Sequence, residues 1–379
     1  MITRLHVRNF KSLENFEVSD IPRLVCLIGV NGAGKTSFIQ LLTFIRALVS
    51  GQVDKWAIGG KPCETKTLAF AGAQKRNFEL MVEFDLLGGG ARYQWSITYN
   101  LYEGQLVRET LKSMEEERMV LSFESGGLCV GGKDLLLPLS PKGSALSIPF
   151  DGQDEIARVR AELAGCAGVG VLDPVAIADA ARAAKKGELE IDENGHRLPA
   201  FVGRLAVGQR EEYVRAILGF YGDFDGVDVK STQFGWKRIV FTELKKTMDA
   251  LHMSYGTLRF MVMAALKYSQ AHCLYFDEVD NGINQEYLGK VVKLLRSMVD
   301  KQVFITTHNV QLLNNFEDDE LRNGVLFFYK DDAHRTKVKR FFDIEGMSSA
   351  LEYDAGGSIV SMTNLVELGQ KLCRQDAVA

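Results

Sequence analysis

The chain reads as an α/β fold, a mostly parallel sheet covered by helices, with an antiparallel β meander and a helical lobe inserted between its two halves. Three observations predict this. Near the start an apolar strand runs through a glycine-rich turn into a helix. From Phe78 to about Phe123 apolar residues alternate with a period of two, and after about residue 230 strands and helices alternate again.

Taken in order, Leu5 to Val7 and Leu24 to Ile28 are apolar enough for strands, with a lesser one at Phe16 to Val18, and Thr36 to Val49 has helical length and spacing. Residues 50 to 75 hold glycine and charge with little period and read as an irregular crossover. Phe78, Leu80, Val82 and Phe84 then alternate with polar residues, as do Tyr93, Trp95, Ile97, Tyr99 and Leu101, and Leu106 to Met114 and Met119 to Phe123 continue the meander. Ile156 to Leu163 and Val175 to Ala184 are alanine-rich and helical in spacing. Ile239 to Phe241, Thr257 to Tyr268, Cys273 to Phe276, Gln285 to Val299 and Gln302 to Thr306 read as strand, helix, strand, helix, strand. The expected organisation is a split head of residues 1–75 and 230–379, a β lobe of 76–150 and a helical lobe of 151–229. No heptad repeat is sustained, so no long coiled coil is expected.

At 379 residues the chain can bury a large core and carry inserted lobes. No window has the apolar length of a membrane span and the first residues lack a signal-like apolar stretch, so no membrane association and a cytoplasmic location are expected. Cys26, Cys63, Cys129, Cys166, Cys273 and Cys373 form no C-x-x-C pair, which suits reduced thiols and predicts no zinc. A net charge of -4 argues against a surface coated for nonspecific nucleic-acid binding.

The chemistry is concentrated in four segments. Gly29-Val-Asn31-Gly32-Ala33-Gly34-Lys35-Thr36 fits G-x-x-x-x-G-K-[ST] between a strand and a helix, where backbone N–H groups and the positive helix end can wrap a polyphosphate. Lys35 would reach the β- and γ-phosphate oxygens, and the Thr36 hydroxyl would take a place on Mg²⁺. Asp277-Glu278 ends the apolar strand Cys273 to Phe276; Asp277 suits Mg²⁺ coordination through water, and Glu278 suits activation of an attacking water as general base. His308 follows the next apolar strand, where its side chain could hydrogen-bond a γ-phosphate oxygen. Ser254-Tyr-Gly256-Thr257 opens the long apolar helix, and Ser254 or Thr257 can cap it.

The order of these motifs resembles the ABC ATPase heads of the SMC, RecF and OLD families over nearly the whole chain. Val7-Arg8-Asn9-Phe10-Lys11-Ser12 resembles their N-F-[KR]-S segment, and Gly29 through Ser37 is similar to their G-x-N-G-[AS]-G-K-[ST]. The resemblance implies ATP and Mg²⁺ as ligands and a head-to-head homodimer around two ATP molecules. In it Asn31, Gly32, Ala33, Gly34, Lys35, Thr36 and Ser37 hold the nucleotide, and Ser254 and Gly256 complete the site of the other protomer. It further implies Asp280 at the dimer seam and Arg8 or Lys11 near adenine and ribose.

The chain departs from the pattern in Ser-Tyr-Gly-Thr, where the transporter signature is L-S-G-G-Q, and in Val279, where proline is usual, which favours the RecF and OLD side. Gln94 and Gln153 sit in or beside the meander and neither is assigned to a glutamine loop. The nearest likeness is to short, stand-alone ATPases paired with a separately encoded effector in bacterial antiviral and toxin-antitoxin systems. The expectation is an ATP-hydrolysing switch that controls such an effector; the rivals are a RecF-like ATPase that clamps DNA and an ATP-bound scaffold with negligible turnover.

Overall fold

The computed structural model describes residues 1–58, 61–73, 75–86, 90–136, 141–150, 152–170, 172–179, 181–182, 190–192, 194–222, 224–232 and 235–376. The chain forms a mixed α/β structure of two compact units: Met1–Cys166 with Asp318–Asp354 and Ile359–Ala379, and Ala167–Glu317 with Ala355–Ser358.

In the first unit the meander is not a separate lobe. Asn77–Asp85 pairs antiparallel with the opening strand Ile2–Arg8, Val82 opposite Leu5, and so extends a sheet that the chain begins with its first residues. The spatial order runs Lys133–Leu136, Gly127–Val130, Arg118–Glu124, Gln105–Ser113, Arg92–Asn100, Asn77–Asp85, Ile2–Arg8, Phe16–Ser19. Strict alternation in Asn77–Asp85 buries Phe78, Leu80, Val82 and Phe84, as a one-sided antiparallel sheet requires. Leu24–Ile28 is buried at every residue and pairs parallel with Val325–Lys330, which in turn pairs antiparallel with Thr336–Arg340. The helix Lys35–Val49 lies in an aromatic core: Phe38 packs edge-on to Phe328 with ring centroids 5.9 Å apart, and Phe44 meets Phe10 at 5.6 Å and Trp56 at 5.1 Å.

In the second unit Cys273–Phe276 pairs parallel with Gln302–Thr306, Cys273 opposite Gln302, and Cys166–Val169 flanks the former. The helical lobe expected over 151–229 therefore contains a strand of the parallel sheet. It went unread because Cys-Ala-Gly-Val is short, and Gly168 is there for closeness: a β-carbon on it would lie 2.0 Å from the Tyr275 carbonyl oxygen. Within the stretch Val175 to Ala184 a helix covers Pro174–Ala178, and residues 180 and 183–189 lie outside the described set. Ile239 to Phe241, expected in the parallel sheet, belongs instead to an antiparallel three-stranded sheet of Gly226–Ser231, Lys237–Glu243 and Lys246–Asp249. The segments between its strands are only a few residues long, too short for a parallel crossover. The helix Tyr255–Leu266 is buried from Gly256 to its end, and Val207–Tyr221 and Leu288–Arg296 are its helical neighbours in the chain.

All six cysteines are free thiols, and among the described residues no group of three His, Cys, Asp or Glu side chains is arranged to hold a metal. No described helix is long and apolar enough to cross a membrane.

Candidate nucleotide site

The glycine loop of the first unit is shaped by what it must avoid. A β-carbon on Gly29 would lie 2.3 Å from the Phe328 carbonyl oxygen, and one on Gly34 would lie 2.2 Å from Thr336 Oγ1; both residues also have positive φ, 142° and 113°. Asn31 and Gly32 are exposed at the loop tip, Ala33 and Gly34 are buried beneath it, and Thr36 is exposed on the first helical turn with Ser37 half-buried beside it. Lys35 is buried and folds over the loop, donating to the carbonyl oxygens of Gly29 at 2.7 Å and Val30 at 3.2 Å. The helix begins on a glycine, with no side-chain cap and no acidic residue in its first turn. Its N-terminal amides and dipole thus meet a bound anion without a competing carboxylate, so these residues fit a polyphosphate.

The Asn-Phe-Lys-Ser segment braces this loop. Asn9, buried, accepts from the Phe70 amide at 2.8 Å and donates to the carbonyls of Lys75 and Asn77. Lys11 donates to Gln40 on the glycine-loop helix, and burial pushes its ammonium below the ordinary lysine range. Arg8 is more exposed and faces away into its own sheet, 3.6 Å from Glu79 and 3.4 Å from Asn15. Of the two basic residues expected near the nucleoside, the structure ties Lys11 to the glycine-loop helix and engages Arg8 elsewhere. Thr336 escaped the sequence reading. Fully buried, it donates to the Ala33 carbonyl at 2.8 Å and lies 2.8 Å from the Ser12 hydroxyl.

The second unit gathers the other predicted residues. Thr306 Oγ1 donates to Asp277 Oδ1 at 2.6 Å and accepts the Glu278 amide at 2.7 Å, so one hydroxyl fixes both acids at the strand end. Glu278 is half-exposed and has φ of 52°, a left-handed backbone that costs a non-glycine residue roughly 1–3 kcal/mol. Its carboxylate lies 3.5 Å from His308 Nε2 and accepts from Asn281 Nδ2 at 3.2 Å. Asp280 holds the histidine loop, accepting from Thr307 Oγ1 at 2.6 Å and from the amides of His308 and Asn309 at 3.3 and 3.2 Å.

Ser254 caps its helix, accepting the Thr257 amide at 3.2 Å. Gly256 is pressed on the segment after Asp280: a β-carbon there would sit 2.1 Å from the Gly282 carbonyl oxygen. Arg259, one turn further and 1% exposed, donates to the Asp277 carbonyl, and at 3.4 Å to the Gly170 carbonyl. Burial pushes its guanidinium below the ordinary value. Its sequence signal was a single charge inside an otherwise apolar helix. Ser254, Gly256, Asp277, Glu278, Asp280 and His308 are thus brought together in the second unit, as Lys11 and the glycine loop are in the first, whereas Arg8 is engaged by Glu79 and Asn15.

Comparison with known proteins agrees with this division. Residues 1–84 match a family model described as "AAA ATPase domain", and residues 171–314 match one described as "AAA domain, putative AbiEii toxin, Type IV TA system". No curated protein sequence matches the chain. Among solved structures the chain is similar to an SMC head bound to the C-winged-helix domain of ScpA, at 14% identity and a TM-score of 0.52, covering 89% of this chain and 96% of that one. It is also similar to an SMC head with an extended coiled coil, bound to the C-terminal domain of ScpA derived from Pyrococcus furiosus, at 13% identity and a TM-score of 0.50 over 93% and 98% of the two chains. With ATPase-domain matches over residues 1–84 and 171–314 and the head fold carrying both, the chain is an ATP-binding ATPase built on the fold of an SMC-like ABC head.

Proposed function

We propose that the chain is an ATP-driven switch: two copies close head to head on ATP, hydrolysis lets them part, and a separately encoded effector responds to the change. The observation that carries this reading is the wiring of the second unit. Gly256 presses on the segment that follows Asp280, Asp280 holds the His308 loop, and Arg259 joins the same helix to the Asp277 carbonyl. Contact at Ser254 and Gly256 therefore reaches the acidic pair and the histidine through rigid short links. A catalytic centre that fires only when a second copy is seated needs such wiring.

In the hydrolytic step Lys35 and the amides of residues 31–37 hold the phosphates, and Glu278 takes a proton from the attacking water. An oxygen–phosphorus bond forms at the γ-phosphate as its bridging bond to the β-phosphate breaks. His308, beside Glu278, orients that carboxylate and hydrogen-bonds the γ-phosphate. Mg²⁺, when bound, would neutralise charge on the β- and γ-phosphate oxygens, and Thr36 and Asp277 are the residues to hold it, the latter through water. Exposed Thr36, and Asp277 held in place by the hydroxyl donated from Thr306, suit that role.

The effector is supported by the toxin-antitoxin wording of the family model matched by residues 171–314, and a partner domain sits on both similar SMC heads. A DNA clamp has less support. In the basic segment Lys337 to Arg340, Lys339 pairs with Asp376 at 2.8 Å and Arg340 donates to the carbonyls of Ser19 and Asp20.

Native mass spectrometry of Glu278→Gln, purified from its native host with and without ATP and Mg²⁺, tests the proposal. The variant should bind ATP without consuming it, double in mass and retain the effector. A monomer at saturating ATP would sink the switch.

A further inference from the structure

Two exposed features take no part in the nucleotide site. The first is the hairpin between Lys237–Glu243 and Lys246–Asp249, whose loop is only Leu244 and Lys245. Both residues have positive φ, 46° and 65°, the backbone of a two-residue turn that asparagine and glycine ordinarily fill. A leucine is strained in that conformation, and this one is also 82% exposed. Neither property serves the core. Beside it stand Lys245 and Lys246, both exposed and in no ion pair among the described residues, with Glu243 opposite Lys246 in the last strand pair.

The second feature lies on the C-terminal segment. Residues 341–370 contain five carboxylates and no lysine, arginine or histidine. From this acidic stretch three large apolar side chains reach solvent: Tyr353, 84% exposed, Met362 and Val366. Glu352 and Asp354 flank the tyrosine and Glu367 follows the valine, all exposed and in no ion pair among the described residues. Met362 ends the helix Gly356–Met362, and Val366 lies in the first turn of Leu365–Asp376. Between them Thr363 Oγ1 donates to Met347 Sδ at 3.9 Å, which sets the short helix Met347–Ala350, just before Tyr353, against the same corner. Arg322 reaches this segment at Ser348.

Each feature supplies what the other lacks: an apolar anchor beside two lysines, and an apolar corner rimmed by acids. Within one chain neither covers the other, since Leu244 and Tyr353 are both open to solvent. We propose that the hairpin tip of one copy docks on the acidic corner of a second copy, Leu244 against Tyr353, Met362 and Val366, with Lys245 and Lys246 facing Glu352, Asp354 and Glu367. The contact joins two different patches and links copies through residues other than Ser254 and Gly256.

Sedimentation velocity of the full chain without nucleotide or Mg²⁺ tests this apart from the ATP-driven closure, so that either can fail alone. The weight-average mass should rise with concentration at about 20 mM salt and return to that of a monomer at about 500 mM, where the charged rims are screened. Leu244→Asn, which suits a left-handed turn, should melt above the wild type and yet stay monomeric. Reversing the lysines (Lys245→Glu with Lys246→Glu) or the acids (Glu352→Lys with Asp354→Lys) should weaken association about tenfold or more. Mixing the two reversed chains should restore it, because each rim again meets its opposite. A wild-type chain that is monomeric throughout, an association that these variants leave unchanged, or a mixture of reversed chains that stays monomeric overturns the proposal.

Discussion

The hydroxyl of Thr336 is the residue on which the glycine loop leans, tying Ala33 to the turn that holds Ser12. Thr336→Val keeps the shape and leaves the Ala33 carbonyl without that donor, at an expected cost of about 1–2 kcal/mol in denaturant melts. ATP affinity, measured by calorimetry, should fall about tenfold because the loop loses its brace; lowered stability with unchanged affinity would reduce Thr336 to packing alone. Lys35, Thr36, Asp277 and Glu278 stand out in the sequence because each sits in a local pattern that its proposed chemistry demands. Thr336 could not, since its partners are some three hundred residues away and its own neighbourhood is an ordinary strand. Glu109 was hidden for another reason. A register shift opposite Thr98 and Tyr99 interrupts the period of two, so Leu106 and Glu109 both turn inward. There the carboxyl accepts from Trp95 Nε1 and the Ala145 amide, each at 2.6 Å, and from the Ser144 hydroxyl. Burial pushes its pKa above the ordinary carboxyl value, against the pull of those donors. A raised folded-state pKa means that the folded chain holds the proton longer than the unfolded one, so this contribution is full below about pH 4.3 and fades as pH rises. Relative to Glu109→Gln, which does not titrate, the wild-type Tm should therefore drop between pH 5 and pH 8, and a Tm difference that is flat or widens in favour of the wild type would refute the sign.

Among the elements, the helix Tyr255–Leu266 carries the longest chain of consequences. Its start is capped by Ser254, its first turn is closed against Gly282, and Arg259 anchors it to the end of the acidic strand. Gly256→Ala forces the Gly282 carbonyl away and with it the segment of Asp280 that holds His308. ATP turnover is expected to fall at least tenfold, by roughly 1.4 kcal/mol or more in transition-state stabilisation, while calorimetric ATP affinity stays within about twofold. Ser254→Ala should cost about 1 kcal/mol through loss of the cap and, as a residue of the proposed shared site, should lower turnover as well. If Gly256→Ala weakens binding and turnover equally, the wiring from this helix to the catalytic loop is wrong. The strands Cys273–Phe276 and Gln302–Thr306 were legible to the residue because a continuous apolar run with a sharp polar end leaves one reading. Ile239 to Phe241 misled because an apolar triplet says nothing about which strand it will join. The turn that decides it, at Leu244 and Lys245, has φ of 46° and 65° without glycine or asparagine to announce it.

At the scale of the whole molecule the distinctive consequence is a site shared between copies. If Ser254 and Gly256 serve the nucleotide of a second chain, then Lys35→Ala and Ser254→Arg damage opposite sides of the same shared site. Each variant alone should be inactive, because every site in its homodimer contains one damaged side. Mixed in equal amounts with free exchange, half of the dimers contain one chain of each kind. In each of these one site collects both lesions, and the other joins the intact glycine loop of the Ser254→Arg chain to the intact Ser254 of its Lys35→Ala partner. Activity should therefore return to about a quarter of the wild-type rate per chain if the sites fire independently, and to less if they must fire together. A mixture as inactive as its components, with mixed dimers confirmed by native mass spectrometry, would mean that Ser254 works within its own chain or that both sites must be intact. Titrating the Lys35→Ala chain into wild type separates these: obligatory coupling drives activity down with the square of the wild-type fraction, and a site completed within one chain leaves it linear.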